Sequence, residues 1–155
     1  MTSTYPRPFG RRAASVSDAE SLDGMSTVEV RTSATAALIP TIRAVASDLA
    51  ARADFDLDAI SDLRMAVDEA CATLVDAADP TSVLQCRFLV RPERIRVHAE
   101  VESAKPDTVL STDTFGWRVL QTLADDVEVL HKAAADGRPA TVAIRLDKSA
   151  GDVPR

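Results

Sequence analysis

Only two cysteines and two histidines occur among the 155 residues. Cys71 and Cys86 make no CxxC pair, and His98 and His131 lie elsewhere along the chain. A zinc site needs four converging ligands at recognisable spacing, so no metal centre is expected. What remains is a pair of buried free thiols in a reducing compartment. A basic excess is also missing. Eighteen Lys and Arg stand against 24 Asp and Glu, for a net charge of −6. Nothing here attracts phosphate backbones nonspecifically, which disfavours nucleic acid as a partner. No stretch approaches the roughly 18 consecutive apolar residues of a membrane span, and the N-terminus lacks an apolar leader core. A cytoplasmic protein with no membrane contact is the expectation. Aromatics are scarce too, at 4% of residues, and two of them, Phe115 and Trp117, stand close together.

What is present is ordinary for a globular chain: 46% hydrophobic and 27% charged residues, enough for one domain with a sizeable core. Residues 1–26 are rich in Ser, Ala, Pro, Arg and Gly without hydrophobic period, so a disordered tail is expected there, and a shorter one at 149–155. Met25, just ahead of the first element, is a candidate alternative start. Between the tails, residues 27–148 form the expected domain. "TVEVRTS" is a short strand. "TAALIPTIRAVASDLAARA" is a helix opening near Pro40, where a first-turn proline is tolerated. "DLDAISDLRMAVDEACATLVDAA" is a second helix, entered through aspartates suited to capping. "SVLQCRFLV" and "RIRVHAEVE" alternate as strands, with His98 on the face away from the core. After the loop "SAKPDTVLSTDT" come a third helix, "FGWRVLQTLADD", and a closing hairpin, "VEVLHK" and "TVAIRL". The fold class is α/β: a two-layer α+β sandwich, with a mixed sheet of about five strands and about three helices on one face.

The second helix has an odd polar distribution. At about 100° per residue, Asp62, Glu69, Thr73 and Asp76 share one narrow strip. That strip borders the apolar arc of Leu63, Ala66, Val67, Ala70, Leu74 and Ala77. By residue type alone, Asp62, Asp68 and Asp76 are solubilising charges, and Glu69 is a solvated carboxylate or the wall of a pocket.

The run "DLRMAVDEACATLV", two strands, a loop and "FGWRVLQTLADDVEVL" together resemble the anti-sigma-factor serine kinases. These are a branch of the GHKL (Bergerat-fold, histidine-kinase-like) ATPases. The likeness spans about Thr27 to Asp147 and is greatest to the actinobacterial anti-sigma-F factors, which share a Phe-x-Trp-x-Val-Leu run. In ATP-binding members an E-A-x-x-N box supplies a general base and a magnesium ligand. Here the base position is Glu69, and Thr73 replaces the Asn. The D-x-G-x-G element that recognises adenine becomes "ESAKP", with Glu102 at the acid and Ala104 and Pro106 at the glycines. Of the phosphate-binding G-x-G-L turn only Gly116 remains, within "TFGW". Alanine and proline do not adopt the positive φ that glycine allows.

The resemblance implies a homodimer with two kinds of protein partner. One is an alternative, stress- or sporulation-type sigma factor, and the other is a STAS-type anti-anti-sigma antagonist that competes for the same surface. The altered motifs imply little or no kinase activity and no required cofactor, with ATP and magnesium bound weakly if at all. Phe115 and Trp117 are expected to fill the vacated nucleotide space. An arginine that contacts sigma factor in the family falls on Thr41 here, so Arg43, two residues on, is the partner-binding candidate. Two function classes stay open: a sigma-sequestering binding module, and a serine kinase acting on the antagonist. A sensor of another small ligand is a remote third.

Overall fold

The computed structural model describes residues 24–151; most of the first expected tail and the end of the second lie outside the described residues. The elements are β1 (Ser26–Ser33), α1 (Ile39–Arg52), α2 (Leu57–Ala77), β2 (Val83–Arg91), β3 (Arg94–Glu102), α3 (Phe115–Leu123), β4 (Asp126–Lys132) and β5 (Thr141–Ser149). A 3-10 turn, Ala36–Leu38, precedes α1.

Each helix starts where its sequence provides for the free N–H groups of a first turn. Pro40 sits in the opening turn of α1, where its missing N–H costs nothing. Asp56 caps α2, its carboxylate accepting from the Ala59 N–H at 2.7 Å. Thr114 does the same for α3 through the Trp117 N–H at 3.0 Å.

The five strands form one sheet in the order β1-β2-β3-β5-β4. Its ladders are all antiparallel, where the pattern of elements suggested a mixed sheet. The reason lies in the last hairpin. The crossover through α3 makes β4 run parallel to β3, but β5 folds back and inserts between them, pairing antiparallel with both.

The helices cover one face of this sheet. From α2, Leu63, Ala66, Val67, Ala70, Cys71 and Leu74 face the apolar sides of the central strands. Those sides present Phe88 from β2, Val97 from β3 and Ile144 from β5, all at most 1% exposed. Alanines at 66 and 70 let the helix backbone lie close to the strands. Each large side chain buried here contributes about 1.5–3 kcal/mol by its removal from water. α1 adds Ile39, Ile42, Ala46 and Ala50 beside α2.

The opposite face is polar and knitted by charge. Strand register places Glu29, Arg87, His98, Arg145 and Glu128 in one row across all five strands. Arg87 pairs with Glu29 at 3.5 Å, Arg145 pairs with Glu128, and His98 approaches Glu100 at 3.7 Å. His98 thus points away from the core, as its period requires. The neighbouring row holds Asp147, only 3% exposed, which accepts from Arg94 at 2.6 Å and from Arg96 at 2.8 Å. Burial raises the Asp147 pKa, but the Arg96 and Arg94 hydrogen bonds outweigh it, so its carboxyl lies below the usual range. This cluster carries β5 on to Ser149, beyond Leu146, where the apolar alternation stops.

Candidate functional site

The site suggested by the sequence begins on the rim of α2. Asp62 accepts from Lys148 Nζ on β5 at 3.3 Å, tying the helix to the sheet. Asp68 accepts from Arg43 at 2.9 Å, tying it to α1. Both acids were expected to be merely solubilising; each instead holds α2 to a neighbour. The second Asp68 oxygen is buried without a protein partner. Arg43, the partner-binding candidate, is therefore occupied by Asp68, with its side chain 35% exposed. Asp76 is exposed.

Glu69 and Thr73 are half-buried one turn apart. The Thr73 hydroxyl donates to the Glu69 carbonyl at 2.9 Å, so its proton is committed to the helix backbone. Opposite them lies the start of α3. Thr114 fixes that start as cap, while Trp117 and Leu120 bury toward the core and draw the helix against α2. As a result Gly116 abuts the Glu69 carboxylate. A β-carbon at position 116 would overlap Glu69 Oε1 and lie 3.1 Å from its Cδ. Glycine is favoured here by proximity to the flexible end of Glu69, not by backbone angle.

Glu69, Thr73 and Gly116 are thus gathered, but Glu102 is not among them. Along β3, Val101 enters the core, so Glu102 turns to the outer face. There it lines a cleft of about 600 Å³ with Glu100, Lys132, Arg138 and Thr141. Immediately after it the backbone is stitched to the end of α2. The Ala104 N–H donates to the Ala77 carbonyl, and the Asp79 N–H donates to the Glu102 carbonyl, both at 3.0 Å.

The two aromatics part company. Trp117 is 8% exposed and belongs to the core, whereas Phe115 is 82% exposed. The expectation that both fill one space is corrected by helix geometry. Residues two apart point about 200° away from each other, so one faces out when the other faces in. The loop joining β3 to α3 is mostly exposed, with Val109 at 75%. Midway along it the Leu110 N–H donates to His131 Nε2 on β4 at 3.3 Å.

The two cysteines meet inside the core. Cys71 on α2 and Cys86 on β2 are free, with sulfurs 3.9 Å apart. Among the described residues, no group of three or more His, Cys, Asp and Glu gathers to hold a metal ion. Nor is any described helix long and apolar enough to cross a membrane.

Comparison with known proteins adds two findings. Residues 32–144 match the histidine kinase-like ATPase domain family. The chain is also 38% identical to the anti-sigma-F factor RsbW of Mycobacterium tuberculosis, in strains CDC 1551 / Oshkosh and H37Rv alike. Each likeness extends over 122 residues, 77% of this chain and 68% of the relative.

Proposed function

The chain belongs to the histidine kinase-like (GHKL) ATPase family, and from its likeness to anti-sigma-F factors we propose that it is an anti-sigma factor working as a binding module. It holds an alternative sigma factor away from RNA polymerase by occupying the sigma factor's surface. A STAS-type antagonist releases it by competing for the same surface. The partner assignment rests on the likeness to the mycobacterial anti-sigma-F factors.

The observation that favours binding over phosphotransfer is the contact between Glu69 and Gly116. In a nucleotide-binding relative, phosphates and magnesium would need the space between the general base and the phosphate turn. In this chain the Glu69 carboxylate lies against the Gly116 backbone and narrows it. Thr73 stands where the family's Asn would ligate magnesium but has a shorter reach, and Glu102 lies on the far face of the sheet. Ala104 and Pro106 stand where glycines would let backbone approach a nucleotide. This lining is a poor fit for ATP with magnesium, so this reading has no phosphotransfer step. In this reading the protein needs no cofactor and works as a homodimer in the cytoplasm.

The test is calorimetric titration of the full chain with ATP and magnesium, beside a Glu69→Ala control. The expected result is no saturable heat at millimolar nucleotide, while the protein still co-elutes with a sigma factor. Micromolar saturation that depends on Glu69 would replace the proposal with the serine-kinase reading, whose main support is that Glu69 is retained.

A further inference from the structure

The Cys71 and Cys86 sulfurs are 3.9 Å apart, against the roughly 2.05 Å of a disulfide, so closing the pair needs about 1.9 Å of relative movement. The two residues lie on different layers, α2 and β2, and both are 0% exposed. From this juxtaposition we propose that Cys71 and Cys86 are an oxidisable dithiol whose disulfide fastens α2 to the sheet, with a hydroperoxide as oxidant.

The chemistry balances without another reactant. One thiolate attacks the peroxide, breaking its O–O bond, and becomes a sulfenic acid as the alcohol or water departs. The second thiol displaces hydroxide from that sulfur, which leaves as water, and the S–S bond forms. Two thiols lose two electrons and two protons, and one peroxide is reduced.

Burial sets when this happens. Contact with Cys86, and then burial, raise the Cys71 pKa, so the closed protein offers little thiolate. Oxidant must wait for α2 to lift locally from β2. The pair therefore records opening of this layer. Glu69 lies two residues before Cys71, so the tie would also fix the helix that carries the candidate site.

Two features make the pair distinct from an incidental core contact. No other cysteine competes for it, and the bond would close a short loop spanning a helix end and a strand. A cross-link of that loop size, joined without strain, raises the unfolding midpoint by roughly 10 °C.

The experiment treats the full chain with hydrogen peroxide under native conditions and follows intact mass and peptide maps. It requires neither sigma factor nor nucleotide, so its result is independent of the proposed function. The expected product has lost the mass of two hydrogen atoms, carries a 71–86 cross-linked peptide and melts higher. Sub-denaturing urea accelerates its formation, and Cys71→Ala and Cys86→Ala each abolish it. Thiols that stay reduced in the folded chain yet oxidise once it is unfolded would overturn the proposal. So would stepwise gain of oxygen on either sulfur, or dimers linked through cysteine.

Discussion

α2 and α3 meet at Glu69 and Gly116, yet the two helices are held in place by different means. α2 has 21 residues and buries a continuous stripe along its length. It is also tied sideways by Asp62 to Lys148 and by Asp68 to Arg43. α3 has nine residues, buries Trp117 and Leu120, and hangs from an exposed loop by its Thr114 cap. One helix is part of the scaffold, and the other is an attachment to it. The contact between them can therefore be altered from the α3 side at modest cost to the fold.

That difference breaks most visibly under truncation of the scaffold. Leu63→Ala removes a wholly buried side chain beneath α2 and is expected to cost about 3–4 kcal/mol, read as a lower midpoint in urea unfolding. A cost under about 1 kcal/mol would mean the α2 layer is looser than described.

Asp147→Asn comes next, at about 2 kcal/mol, discounted because both arginine partners are half-exposed. Its sign with pH is fixed. A carboxyl whose folded pKa is depressed stabilises fully above the unfolded carboxylate range, and that stability is lost as pH falls through the depressed value. The variant should accordingly lose part of the acid-side decline seen in unfolding curves of the parent. Parallel pH profiles would remove Asp147 from the account of sheet stability.

Gly116→Ala probes the junction itself. The added carbon meets the Glu69 carboxylate, a flexible group, so a cost of about 1–2 kcal/mol is expected. Glu69→Ala in the same chain should recover most of it. Additive losses in that double-mutant cycle would show that the two residues do not touch in solution. Phe115→Ser should change stability by less than about 0.5 kcal/mol, because the ring is already in water. A larger loss would place Phe115 in an interface.

The sequence already contained much of this, in unequal parts. Helical spacing and strand alternation located all three helices and five strands, because each buries one face and so writes its period into the chain. The insertion of β5 between β3 and β4 left no such mark, since strand order depends on which edges meet. At the site, the likeness singled out Glu69 and Gly116, and the fold brings them together. For Glu102 the motif overlay and the strand period disagreed. Ile95, Val97, Ala99 and Val101 facing inward already sent residue 102 outward, and the period prevailed. The same kind of reasoning was available for Phe115 from the angle between it and Trp117. The Arg43–Asp68 bridge had no local signal, because its partners lie 25 residues apart on facing helices.

The placement of β5 also has a consequence for biosynthesis. β4 has a single ladder, to β5, and β5 supplies the inner side of the sheet between β3 and β4. While the nascent chain emerges, β1, β2 and β3 can pair and take up α1 and α2. β4 must wait with its strand edges bare until the residues up to Ser149 are released. Until β5 arrives, the sheet therefore has an open edge at β3 and an unpaired strand at β4.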